Sequence, residues 1–226
     1  MLHLYWGNGK GKTTAAMGLA LRALGHGRRV VIVQFLKDGT SGEIAPLRTA
    51  GATVYACPNA KFTWLMDEND KAQARAVSAD ALEKALAQPF ELLVLDEATS
   101  GLDPAARSEI LDILLDFIQD ERHSVLLSSH ITTDLEQIAD TIAYLHHGQL
   151  LFAKNKDDLM EEYGILRCSQ QDLDRLPPEW IAATCRTAAG CESLVHPRVS
   201  VLRALPGVVC DAASIDDIMR LTSKEG

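Results

Sequence analysis

Short apolar runs alternate with amphipathic stretches along roughly the first two thirds of the chain. Leu2 to Trp6 is apolar and ends at glycines, which predicts a strand feeding a loop. Thr13 to Leu24 is rich in Ala and Leu and stops at Gly25, as a helix does. Arg29 to Phe35 is a β-branched run, a buried strand. A short helix over Gly42 to Ala50 and a strand over Thr53 to Cys57 follow. Asp67 to Ala87 carries Ala and Leu on one face and charges on the other, which predicts a long helix. Glu91 to Leu95 is the next buried strand, and it delivers Asp96 and Glu97.

The alternation continues. Pro104 to Asp120 is a helix, with Asp103 as N-cap and Pro104 at the first helical position. Ser124 to Ser128 is a strand and Thr133 to Ala139 a helix. Ile142 to Leu145 and Gln149 to Ala153 flank His146-His147-Gly148 and read as a hairpin. Strands alternating with helices predict an α/β fold with a mainly parallel sheet. Beyond residue 155 segments shorten, and Pro177-Pro178 and Pro206-Gly207 break the pattern. A nucleotide-binding core over 1–155 and a small α+β appendage over 156–226 are expected.

Composition narrows the class. Hydrophobic residues make up 47% and charged ones 23%, enough for an ordinary core without a staple. The formal charge of -9 carries no basic cluster, so nucleic acid is not an expected partner. Five cysteines show no C-x2-C pair, and their spacing fits reduced thiols better than a zinc site. No apolar run approaches the ~18 residues of a membrane span. No signal-peptide pattern precedes the first strand. A cytoplasmic location is expected.

The chemistry centres on Gly7, Asn8, Gly9, Lys10, Gly11, Lys12, Thr13 and Thr14. Glycines let a backbone wrap a phosphate closely, and the following helix presents its positive end. Lys12 supplies charge, and the Thr13 hydroxyl is a magnesium ligand in such a loop. Asp96, at the end of a buried strand, is the companion carboxylate, with Glu97 beside it. The expected ligands are ATP and Mg. The common loop has a glycine where Trp6 stands, so this is a variant.

Residues 2–97 resemble the corrinoid (ATP:cob(I)alamin) adenosyltransferases. The resemblance rests on Gly7 to Thr14, then Gly18-Leu19-Ala20-Leu21-Arg22-Ala23 and Gly25-His26-Gly27. It continues in Val33-Gln34-Phe35-Leu36-Lys37, Gly42-Glu43 and Phe62-Thr63-Trp64. It implies a P-loop NTPase with a RecA-like sheet, a corrinoid substrate, and Phe62 and Trp64 lying over that corrinoid. Residues 92–226 resemble the C-terminal half of an ABC transporter ATPase instead. Leu95 to Pro104 looks like its Walker B and D-loop, and Ser128-Ser129-His130 like its H-loop. That resemblance implies Glu97 as catalytic base and His130 as γ-phosphate sensor.

Each resemblance lacks something the other has. No L-S-G-G-Q signature precedes Asp96, and the chain between Lys12 and Asp96 is too short for the helical subdomain that carries it. A membrane permease is therefore a poorly supported partner. The adenosyltransferases continue after Asp-Glu with L-T-Y, whereas this chain has Ala98-Thr99-Ser100. The chain reads as chimera-like, joined at the L-x-L-D-E segment both families share. Adenosyl transfer from ATP to a corrinoid is the favoured reading, because the loop variant and the aromatic pair lie in one half. An ABC-type export ATPase and a non-catalytic ATP-binding hybrid are the alternatives. A homodimer is compatible with all three.

Overall fold

The computed structural model describes residues 1–7, 10–35, 37–58, 67–98, 104–120, 123–129, 138–187 and 190–222. The chain divides into two compact units, Met1–Ala153 and Lys154–Gly226.

The first unit is built on seven strands. They are β1 (Leu2–Trp6), β2 (Val30–Gln34), β3 (Thr53–Ala56), β4 (Leu92–Asp96), β5 (Ser124–Ser129), β6 (Thr141–His146) and β7 (Gln149–Asn155). Their order across the sheet is β3-β2-β4-β5-β1-β6-β7. Every pairing from β3 through β6 is parallel. A turn with positive φ at His147 (46°) and Gly148 (79°) joins β6 to β7, and so short a connection turns the chain back antiparallel.

Four helices are described in this unit: α1 (Lys12–Gly25), α2 (Ile44–Thr49), α3 (Glu68–Leu86) and α4 (Pro104–Ile118). Parallel strands need cover on both faces, which is why β2 and β4 are buried along their whole length. Ala16, Met17 and Ala20 of α1 pack on Val30, Ile32, Leu92, Val94 and Leu126. Small alanines let α1 approach the sheet closely, which brings its first turn to the strand ends. Residues 133–137 of the expected helix over Thr133 to Ala139 and the Asp103 cap lie outside the described residues; Ile138 and Ala139, at its end, are buried. The short helix is tighter than its pattern suggests, Ile44–Thr49, with no side-chain cap at Glu43.

The second unit is an antiparallel sheet with short helices. Strands β8 (Gly164–Cys168), β9 (Ile181–Thr187), β10 (Gly190–Val195) and β11 (Val209–Ala212) lie in the order β11-β8-β10-β9. Its own core gathers Leu166, Leu173, Val195, Val201 and Leu205. All five cysteines are free. Among the described residues, no helix is long and apolar enough to cross a membrane.

Candidate active site

The site lies at the C-terminal ends of the parallel strands, where the sheet order reverses direction around β1. Ligands of open α/β sheets bind at such a point. The turn after β1 is forced to be glycine. Gly7 has φ 146°, and a Cβ there would stand 1.7 Å from the Leu145 carbonyl oxygen. The loop is thus pressed against the backbone of β6. Gly11, at φ 119°, opens α1 with no side-chain cap on the first turn. Helical N–H groups left without such a cap make an anion site, reinforced by the helix dipole.

Lys12 is buried, at 7% exposure, and its Nζ donates to the Gly7 carbonyl at 2.7 Å. It also lies 3.8 Å from Glu97 Oε1. Thr13 follows on α1, and its Oγ1 donates to Asp96 Oδ1 at 3.0 Å. Strand register explains why Asp96 can be reached. Gln34, Asp96 and Ser128 are aligned on β2, β4 and β5, and Ser128 is aligned with Tyr5 on β1. Aligned residues of parallel strands share a face. Tyr5 packs against the α1 cluster, so this is the face beneath α1.

Asp96 is fully buried, and a buried carboxylate must be paired. Ser128 Oγ donates to Oδ1 at 2.7 Å, and Lys37 Nζ donates to Oδ2 at 2.6 Å. Neither Lys37 nor Ser128 has a role assigned on sequence grounds, yet both enter the site. The signal for Ser128 is a polar residue at the end of an apolar strand. Lys37 has no such signal, because it arrives on a loop. Glu97 has φ 61°, a strained value for a side chain larger than glycine. Its N–H donates to the carbonyl and hydroxyl oxygens of Ser128, each at 3.1 Å. The backbone turn so held directs the Glu97 carboxylate towards Lys12.

The structure therefore brings Gly7, Gly11, Lys12, Thr13, Asp96 and Glu97 together, with Thr14 on the first turn of α1 and Lys10 in the loop just before it. Thr13 and Thr14 also border a cavity of about 360 Å³, walled by Met17, Leu21, Leu47 and Glu43. Asn8, Gly9, Phe62, Trp64 and His130 lie outside the described residues. A hydroxyl and a carboxylate spanned by one ammonium form a donor set that suits a cation, and it fits magnesium.

Comparison with known proteins decides the family. The family described as ATP:corrinoid adenosyltransferase BtuR/CobO/CobP matches residues 1–157. This chain belongs to that family. A corrinoid adenosyltransferase of Escherichia coli K12 is 34% identical over 149 residues, spanning 63% of this chain and 74% of that protein. One from Salmonella typhimurium is 44% identical over 101 residues, spanning 42% of this chain and 50% of its own length. The adenosyltransferase match runs past Asp96-Glu97, well beyond the segment that carries the resemblance on motifs alone. The transporter likeness is also present but shorter. A bacitracin transport ATP-binding protein of Enterococcus faecalis is 41% identical over 69 residues, which is 30% of this chain and 22% of that protein. The chain is thus of mixed resemblance, and Lys12, Thr13, Asp96 and Glu97 all fall within the residues that the family matches.

Proposed function

We propose that this chain transfers the adenosyl group of ATP to a reduced corrinoid, with the triphosphate held at the first turn of α1. The observation that carries the reading is the convergence of Lys12, Thr13, Asp96 and Glu97 there, in a chain of this family. In the reaction, the electron pair of cobalt(I) forms the bond to the ribose C5′. The C5′–O bond breaks, and triphosphate leaves with the electron pair of that C5′–O bond. The protein's task is then to orient ATP and to stabilise charge building on the leaving triphosphate.

Lys12 and the α1 amides aim at that charge from a site where α1 is fixed by its packing on the sheet. Thr13 and Asp96 would hold magnesium, which when bound neutralises part of the phosphate charge. Glu97, held by its strained backbone, orients Lys12. The cavity beside Thr13 and Thr14 has the size and apolar walls for a nucleoside. Phe62 and Trp64 take the corrinoid side by family resemblance.

An anaerobic assay with chemically reduced cobalamin, ATP and magnesium tests the proposal by the absorbance of adenosylcobalamin. Product should form in proportion to protein, and Lys12→Ala should lower kcat/KM by about a hundredfold or more. No product above the protein-free background would overturn the reading.

A further inference from the structure

Asp96 and Thr13 are the pair that a P-loop site uses for its magnesium ion: a strand-end carboxylate and the loop hydroxyl. In this chain a side chain of the protein already spans them. Lys37 Nζ lies 2.6 Å from Asp96 Oδ2 and 3.4 Å from Thr13 Oγ1. The carboxylate is fully buried, while the lysine side chain keeps 29% of its surface exposed. One partner is therefore fixed in the sheet and the other sits on a long stem at the mouth of the site.

We propose that Lys37 is a built-in competitor for the magnesium position, which yields the site only when a triphosphate is present to receive its ammonium. The inference rests on the reading of the site as a magnesium–triphosphate cradle. A divalent ion held by Asp96 and Thr13 would exclude an ammonium that spans the same two side chains, both by volume and by like charge. In the free protein the ammonium neutralises Asp96, so the buried carboxylate is never left unpaired. Metal arriving alone must displace the lysine into water. Metal arriving with triphosphate displaces it onto new anionic oxygens. Metal and nucleotide binding are thereby coupled, and linkage makes the coupling reciprocal. Lys37 is a positioning residue in this scheme: it keeps Asp96 and Thr13 in place before ATP binds and gates the metal.

The test is Mn²⁺ binding by water-proton relaxation enhancement, which separates protein-bound from free ion, on the full chain with and without ATP. Lys37→Gln keeps a hydrogen-bond donor for Asp96 but removes the competing charge. It should bind Mn²⁺ about tenfold more tightly than wild type without ATP, and show a smaller further gain when ATP is added. Lys37→Arg keeps the charge and should stay weak without ATP. Far-UV circular dichroism checks that both variants are folded. The wild-type protein tests the cradle by itself, since its Mn²⁺ affinity must rise on adding ATP; the competitor role is read from Lys37→Gln without ATP. Tight Mn²⁺ binding by wild type with ATP, together with no tightening in Lys37→Gln alone, overturns the competitor role and leaves the cradle standing. Absence of Mn²⁺ binding in every sample overturns both.

Discussion

Gln34 ends β2 with its side chain fully buried, and neither amide atom has a hydrogen-bond partner among the described residues. An orphan of that kind is costly, and folds keep one mainly where function sets the residue. Gln34 lies beside Asp96 in the sheet register, on the face under α1, so its place is at the cradle rather than in a neutral part of the core. Gln34→Met keeps the length and removes the unpaired amide. The free protein should gain about 1 kcal/mol in urea unfolding at constant slope. A loss of stability would show that the amide is satisfied in solution. Trp6 is the other informative residue. It is 3% exposed, and its ring lies 4.5 Å from that of Tyr144, with which it is in register. The residue that replaces the loop's usual first glycine has become a core aromatic, and the turn itself passes to Gly7.

The helices of the first unit start in two different ways, and the difference separates structure from chemistry. α3 closes its own N-terminus: Asp67 accepts from the Asp70 N–H at 2.8 Å, and Asp70 accepts from the Asp67 N–H at 3.1 Å. α1 opens from Gly11 with no such cap. Asp67→Ala should therefore cost about 1 kcal/mol of stability, read by thermal or urea unfolding, while ATP affinity stays within error. A large loss of affinity instead would tie the start of α3 to the site. The start of α1 was readable in the sequence from glycines before an Ala-rich run, whereas the amphipathic run over Asp67 to Ala87 showed α3 with Asp67 as its first residue and not as its cap. The strands were readable too, because V-V-I-V and L-L-V-L have no other comfortable place in an α/β core. Strand order was not, since local pattern does not say that β1 lies between β5 and β6. For that reason Ser128 could be named as part of a motif but not as a ligand of Asp96. Lys37 was hidden more deeply: its partner is 59 positions away, and a lone lysine after a strand ordinarily points to water.

At the scale of the whole chain, two units each close a core of their own around a different kind of sheet. The first is mainly parallel and holds every described site residue; the second is antiparallel and holds none of them. The adenosyltransferase match ends at residue 157, close to the division after Ala153. A fragment ending at residue 157 retains α1, β2, β4 and β5, and with them the Lys12, Thr13, Lys37, Asp96 and Ser128 cluster. A core of that size is sufficient for independent folding. We therefore expect residues 1–157 to fold cooperatively and to bind ATP with magnesium within about threefold of the full chain's Kd, a difference of under 1 kcal/mol. Isothermal titration calorimetry with circular dichroism melting measures both quantities. A folded fragment that has lost ATP binding would mean that residues beyond 157 complete the site, and the division of labour between the two units would have to be abandoned. A fragment that binds ATP as the full chain does would place the whole nucleotide chemistry in the first unit, leaving the second to be studied for what it adds to the turnover of corrinoid.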